Sequence, residues 1–178
     1  MLGNKKAFKI LVTGSFGSGK TTFIKTLSEI DPLTTEKKIS SLSEQVGEKK
    51  TTTVAMDMGK LKIGEDIEIH LFATPGQDRF DFMLDILKRG ILGGIVLVDA
   101  ANPKSVEVAE RFAEKIRESH DIPLIFCVTK TDVPGAKSLD EIKAHLGNFD
   151  DIPVEVLDPR DKDKGKEVLI KLLSMILS

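Results

Sequence analysis

Apolar and polar positions along the chain follow two rhythms, and the exchange between them predicts the architecture. Short, nearly continuous apolar runs of strand length are separated by stretches whose apolar residues fall three and four apart, the spacing of amphipathic helices. Ala7 to Thr13 predicts a first strand. A Gly-rich turn follows, then a helix through about Glu29 with Phe23, Ile24 and Leu27 on one face. Thr53 to Ile63 and Asp66 to Phe72 predict two strands joined at Gly64-Glu65, a spacing short enough for an antiparallel hairpin. Ile91 to Asp99 and Ile122 to Thr129 are runs of the type buried on both faces of a parallel sheet, and Ile152 to Leu157 is a shorter third. Val106, Ala109, Phe112, Ala113 and Ile116 mark one helical stripe, and Val168, Leu169, Leu172, Leu173 and Ile176 another. The expectation is one α/β domain over residues 1–178 with a six-stranded, mixed but mostly parallel sheet and helices on both faces. Between Asp31 and Lys50 the composition turns polar, and a loop that long inside a compact domain points to a mobile lid.

Composition narrows the function classes. With 178 residues there is little room for a second independent core. The 26 Lys plus Arg against 28 Asp plus Glu leave no basic surplus for duplex nucleic acid or an anionic membrane surface. A single Cys forms no internal disulfide, in keeping with a cytoplasmic protein. The absence of Trp and Tyr counts against a base-stacking platform and against an aromatic carbohydrate cleft. No apolar run is long enough to span a bilayer. Leu2 stands where myristoylation needs a glycine, and the last residues hold no Cys for prenylation, so no direct membrane anchor is expected. Cys127 in an apolar strand reads as structural, and His70, His120 and His145 show no metal-ligand spacing.

Gly14-Ser15-Phe16-Gly17-Ser18-Gly19-Lys20-Thr21 fits G-x-x-x-x-G-K-[ST] between a predicted strand and a predicted helix, the context that motif requires. The glycines let the backbone wrap a phosphate, and the amides of Gly14, Ser15, Gly17, Ser18 and Gly19 with the helix N-terminus supply positive potential. Lys20 reaches the β/γ oxygens, Thr21 ligates Mg²⁺, and Thr22 completes the nucleotide-binding run. The expected layout is therefore the three-layer P-loop NTPase fold.

From here the chain resembles the Ras-like small GTPase superfamily over Phe8 to Leu177. The resemblance implies GTP and GDP as ligands, Mg²⁺ as cofactor and hydrolysis of GTP to GDP and phosphate. In Thr51-Thr52-Thr53-Val54-Ala55-Met56-Asp57-Met58-Gly59 it makes Thr53 the switch I Mg²⁺ ligand, with Thr51 and Thr52 as alternatives. Ala73-Thr74-Pro75-Gly76-Gln77 is similar to the family's D-x-x-G-Q segment with Ala73 in the Asp position, a departure that weakens metal anchoring unless another carboxylate substitutes. Gly76 then gives its N–H to the γ-phosphate and Gln77 orients the attacking water. This Thr-Pro-Gly-Gln form resembles a prokaryotic branch close to the gliding-motility-type GTPases.

Thr129-Lys130-Thr131-Asp132 resembles the N-K-x-D guanine motif with Thr in place of Asn. The Asp132 carboxylate accepts from N1–H and the exocyclic amine of guanine, an edge that adenine lacks, while Lys130 lays its stem against the base. Leu157-Asp158-Pro159-Arg160-Asp161 stands where the family offers a backbone N–H to guanine O6. Pro159 cannot donate, so Asp158 or Arg160 must.

The resulting reading is a nucleotide-dependent switch. No Arg lies between Asp31 and Met58, so slow intrinsic turnover is expected, with an activating or effector partner of the roadblock type implied by the resemblance. Two alternatives stand beside it: a P-loop ATPase or kinase that anchors metal through Asp99 at the end of Ile95-Val96-Leu97-Val98, and a non-catalytic nucleotide-binding scaffold.

Overall fold

The computed structural model describes residues 6–31, 33–40, 51–73 and 90–178. The six strands expected from the sequence are all present: β1 (Lys6–Gly14), β3 (Thr51–Ile63), β4 (Ile67–Ala73), β5 (Ile91–Asp99), β6 (Leu124–Thr129) and β7 (Val154–Val156). A further strand, β2 (Leu33–Ser40), lies at one edge and completes the order β2-β3-β4-β1-β5-β6-β7. Pairings of β1 with β4 and β5, of β5 with β6, and of β6 with β7 are parallel. Those of β2 with β3 and of β3 with β4 are antiparallel. The sheet is thus mixed and mostly parallel, with the antiparallel part gathered at one side.

β2 corrects the expectation of a loop over Asp31 to Lys50. Its eight residues pair from Leu33↔Met58 to Ser40↔Thr51, so at least this part of the segment is sheet. Its polar composition, with Lys37 and Lys38, is what a marginal strand tolerates, because among the described residues one side of its ladder has no partner and charge discourages edge-to-edge association. Residues 41–50 lie outside the described residues.

Period-2 alternation builds two cores. Ile10 and Val12 of β1, Ile95 and Leu97 of β5, and Ile125 and Cys127 of β6 face α1 (Lys20–Leu27) and α4 (Lys162–Leu177). Leu11, Val96, Val98, Phe126 and Val128 face the other way, against α2 (Ser105–Ser119) and α3 (Leu139–His145). Phe23, Ile24 and Leu27 of α1 are buried, as their spacing predicts. Each such side chain contributes roughly 2 kcal/mol of apolar burial.

Local signals set the helix starts. Ser138 accepts from the Glu141 N–H and donates to its carboxylate at the head of α3, and Asp161 accepts from the Lys164 N–H at the head of α4. Among the described residues no helix is long and apolar enough to cross a membrane.

Candidate functional site

The parallel strands β1, β5 and β6 end along one edge of the sheet, and the loops leaving them meet there, the usual location for ligands in open α/β sheets. The loop from Gly14 to Lys20 is held from several sides. Ser15 Oγ and Ser105 Oγ at the start of α2 are 2.7 Å apart. The Gly17 carbonyl accepts from Lys130 Nζ at 2.7 Å, and the Ser18 carbonyl accepts from Thr129 Oγ1 at 2.8 Å. Gly19 has φ 111°, and a Cβ there would lie 2.6 Å from Pro159 Cγ, so the loop after β7 presses directly on the phosphate loop. Gly14, Ser15, Gly17, Ser18, Gly19, Thr129, Lys130 and Pro159, chosen from distant parts of the sequence, form one assembly.

Lys20 is buried in this loop, with Nζ donating to the Gly14 carbonyl at 2.7 Å. Burial lowers its pKa to about 8, and the Asp57 carboxylate partly opposes that shift. Phosphate oxygens would restore the ordinary value, so nucleotide binding takes up a proton wherever the free protein's Lys20 is neutral. Nucleotide affinity is therefore expected to be flat below pH 8. Above it, affinity falls by up to about tenfold per pH unit towards the ordinary Lys value. Titration calorimetry in buffers of different ionisation enthalpy checks this; affinity that stays level to about pH 9.5 contradicts it.

Thr21 follows Lys20 in the first turn of α1, and its hydroxyl donates to Asp57 Oδ2 at 2.9 Å. Asp57 lies on β3 directly opposite Ala73 of β4. Directly paired antiparallel residues project to the same face about 5 Å apart, so Asp57 brings a carboxylate next to the position where Ala73 lacks one. Because the Thr21 proton goes to Asp57, the hydroxyl's lone pairs stay available to a cation. One hydroxyl and one carboxylate, with phosphate oxygens and water, form the hard oxygen set that suits Mg²⁺. Thr53 lies on β3 in register with Lys38. Gly76 and Gln77, expected to act on the γ-phosphate, lie outside the described residues.

Beside the phosphate loop is a cleft of about 700 Å³ lined by Thr22, Lys130, Asp132, Val133, Val156 and Asp158 among others. Lys130 adopts φ 59°, a left-handed backbone uncommon outside glycine. The exposed Asp132 is among the residues lining this cleft. The loop after β7 separates two candidates that the sequence left open. The Arg160 N–H is taken by Asp158 Oδ1 at 2.9 Å, whereas no hydrogen bond claims the Asp158 N–H among the described residues. The Arg160 guanidinium also grips the Asp158 carboxylate at 2.9 and 3.0 Å, which lowers the Asp158 pKa and raises that of Arg160.

The Asp99 carboxylate is engaged by other groups. Its Oδ1 accepts from the Ala101 N–H at 2.9 Å and its Oδ2 from Lys130 Nζ at 3.1 Å, while the carboxylate that meets Thr21 is Asp57. Sequence reasoning missed both Asp57 and Ser105. A lone carboxylate in the apolar stretch Ala55-Met56-Asp57-Met58 was the available signal for the first; nothing in the sequence marked the second.

A G-x-x-x-x-G-K-T loop joining the first strand and first helix of such a sheet, beside a base-sized cleft, defines a P-loop nucleotide-binding protein. Residues 12–178 match the family described as conserved hypothetical ATP binding protein, and the chain belongs to that family. It is 36% identical over 129 residues to an uncharacterized protein of Methanocaldococcus jannaschii, covering 72% of this chain and 73% of that protein. The Mutual gliding-motility protein MglA of Myxococcus xanthus is 28% identical over 156 residues, 82% of this chain and 77% of the relative. The Ras and EF-hand domain-containing protein of Danio rerio is 28% identical over 134 residues, 73% of this chain but 18% of that much longer protein.

Proposed function

We propose that the protein binds GTP with Mg²⁺, hydrolyses it slowly to GDP and phosphate, and serves as a nucleotide-dependent switch. The observation that carries this reading is the base cleft: the Asp132 carboxylate, the tethered Lys130 stem and the unclaimed Asp158 N–H line one pocket next to the phosphate loop. Guanine offers two donors to Asp132 and an acceptor to Asp158. Adenine would leave the carboxylate without its N1–H and amine partners. Similarity to MglA and to a Ras-domain protein supports the same class.

In this mechanism Lys20 leaves the Gly14 carbonyl for the β/γ oxygens, and the loop amides hold the phosphates. Thr21, Asp57 and Thr53 are the residues to hold Mg²⁺, which when bound neutralises charge on those phosphates. Gln77 orients a water whose oxygen attacks the γ-phosphorus as the bond to the β–γ bridging oxygen breaks. The proton ends on inorganic phosphate. Gly76 and Thr53 sense the γ-phosphate, so the segments carrying them present a different face once it has gone. A roadblock-type partner reads that face, in the cytoplasm.

A second reading has a specific observation in its favour, since the family's description names ATP. Competition between labelled GTP and ATP decides the base, and comparable affinities remove Asp132 from its role. Single-turnover cleavage decides the chemistry. The expected intrinsic rate is on the order of 10⁻⁴ to 10⁻² s⁻¹, with Gln77→Ala slower by roughly tenfold. Equal inertness of wild type and variant favours a non-catalytic scaffold; turnover of several per second without a partner ends the activator idea.

A further inference from the structure

Asp99 and Lys130 make an ion pair that phosphate binding does not require and that the proposed chemistry does not use. The Asp99 side chain is only 6% exposed, at the buried end of β5, whereas Lys130 is 43% exposed and lines the base cleft. A carboxylate taken that far from water needs partners for both oxygens, and it has two: the Ala101 N–H and Lys130 Nζ. The same Nζ donates to the Gly17 carbonyl at 2.7 Å. The Asp99 N–H in turn donates to Ser105 Oγ, which is hydrogen-bonded to Ser15 Oγ. Asp99 thus touches the phosphate loop by two routes, through Lys130 to Gly17 and through Ser105 to Ser15.

An untethered lysine on a cleft wall samples many rotamers, and a base stacking on it must first order it. Here both ends are fixed, the backbone in the left-handed region and the ammonium between Asp99 and Gly17. We propose that Asp99 is a positioning residue of the nucleotide site, which acts through Lys130 to hold the base-supporting stem in place and to tie it to the phosphate loop. It neither touches the nucleotide nor reads the base edge. The proposal rests on the reading of Lys130 as the wall that supports the base.

A double-mutant cycle tests it, with GDP affinity measured by calorimetry on the full chain in Mg²⁺ for wild type, Asp99→Asn, Lys130→Met and the double variant. Asn keeps an oxygen for the Ala101 N–H but loses the charge that holds Lys130. The expected result is about a tenfold loss for Asp99→Asn, about a thirtyfold loss for Lys130→Met, and a double variant no weaker than Lys130→Met alone. The GDP-to-ADP affinity ratio should stay unchanged in Asp99→Asn, a readout that separates positioning from edge recognition.

Multiplying losses, wild-type affinity in Asp99→Asn, or a collapsed base ratio would overturn the proposal. If Asp99→Asn does not fold, Asp99→Ser, whose hydroxyl still accepts from Ala101, takes its place in the cycle. A wild-type preference for ADP would defeat the guanine reading alone, because the cycle run on ADP still reports whether Asp99 acts through Lys130.

Discussion

Asp132→Ala is expected to lower GTP affinity by about 10² to 10³-fold while leaving ATP affinity within about threefold. Each hydrogen bond to a charged acceptor contributes about 1.5 to 3 kcal/mol, and in the proposed site guanine gives Asp132 two of them. The exposed position of Asp132 places the sum towards the lower end of that range. Adenine makes neither bond, so its affinity is nearly indifferent to the change, and discrimination disappears because GTP is lost rather than because ATP is gained. Competition of unlabelled GTP and ATP against a fluorescent guanine nucleotide measures both numbers. A variant that keeps its GTP preference would mean that the base is read elsewhere in the cleft, with Asp158 the first residue to test.

Asp57→Ala is expected to raise the Mg²⁺ concentration needed for half-maximal single-turnover cleavage by about 10 to 100-fold, the usual cost of removing a group that orients a metal ligand. Nucleotide affinity measured in a chelator should change far less, and this separates loss of metal anchoring from general damage to the loop. The hairpin register supplies a stricter control. Ala73 is fully buried directly opposite Asp57, so Ala73→Asp in the Asp57→Ala background moves the carboxylate across one inter-strand gap and should recover most of the Mg²⁺ response. The same substitution in the wild-type background sets two carboxylates about 5 Å apart and should lower stability. Failure of Ala73→Asp to rescue, with the double variant folded, would show that β3 itself provides the needed geometry.

That register also explains why the carboxylate that meets Thr21 was hard to read from sequence. A two-residue turn at Gly64-Glu65 would set Ile63 against Asp66 and Asp57 against Phe72. The observed connection has three residues, 64–66, with Gly64 at φ 67°, so Ile63 faces Ile67 and Asp57 faces Ala73. One residue of turn length decides whether Asp57 meets Thr21 or points to the opposite face of the sheet. The phosphate loop was legible because its function is local: glycines, lysine and threonine are contiguous, and the strand and helix beside them have strong periodicity. β2 was not, because an edge strand rich in Thr, Glu and Lys lacks the apolar alternation that marks a half-buried one. Asp99 was visible as an acidic strand terminus, but its partner lies 31 residues away, just past the end of β6, and only the parallel pairing of β5 with β6 brings Lys130 to it.

The contact of Pro159 with Gly19 also bears on how the site comes into being. The two residues are 140 positions apart, and the last strand and helix are needed to bring them together. During synthesis the phosphate loop emerges well before the wall that completes the cleft beside it. A half-made chain can hold a G-x-x-x-x-G-K-T sequence but not the nucleotide site. A ligand of this cleft therefore stabilises only chains in which both walls have come together, and adds nothing to a partly made one.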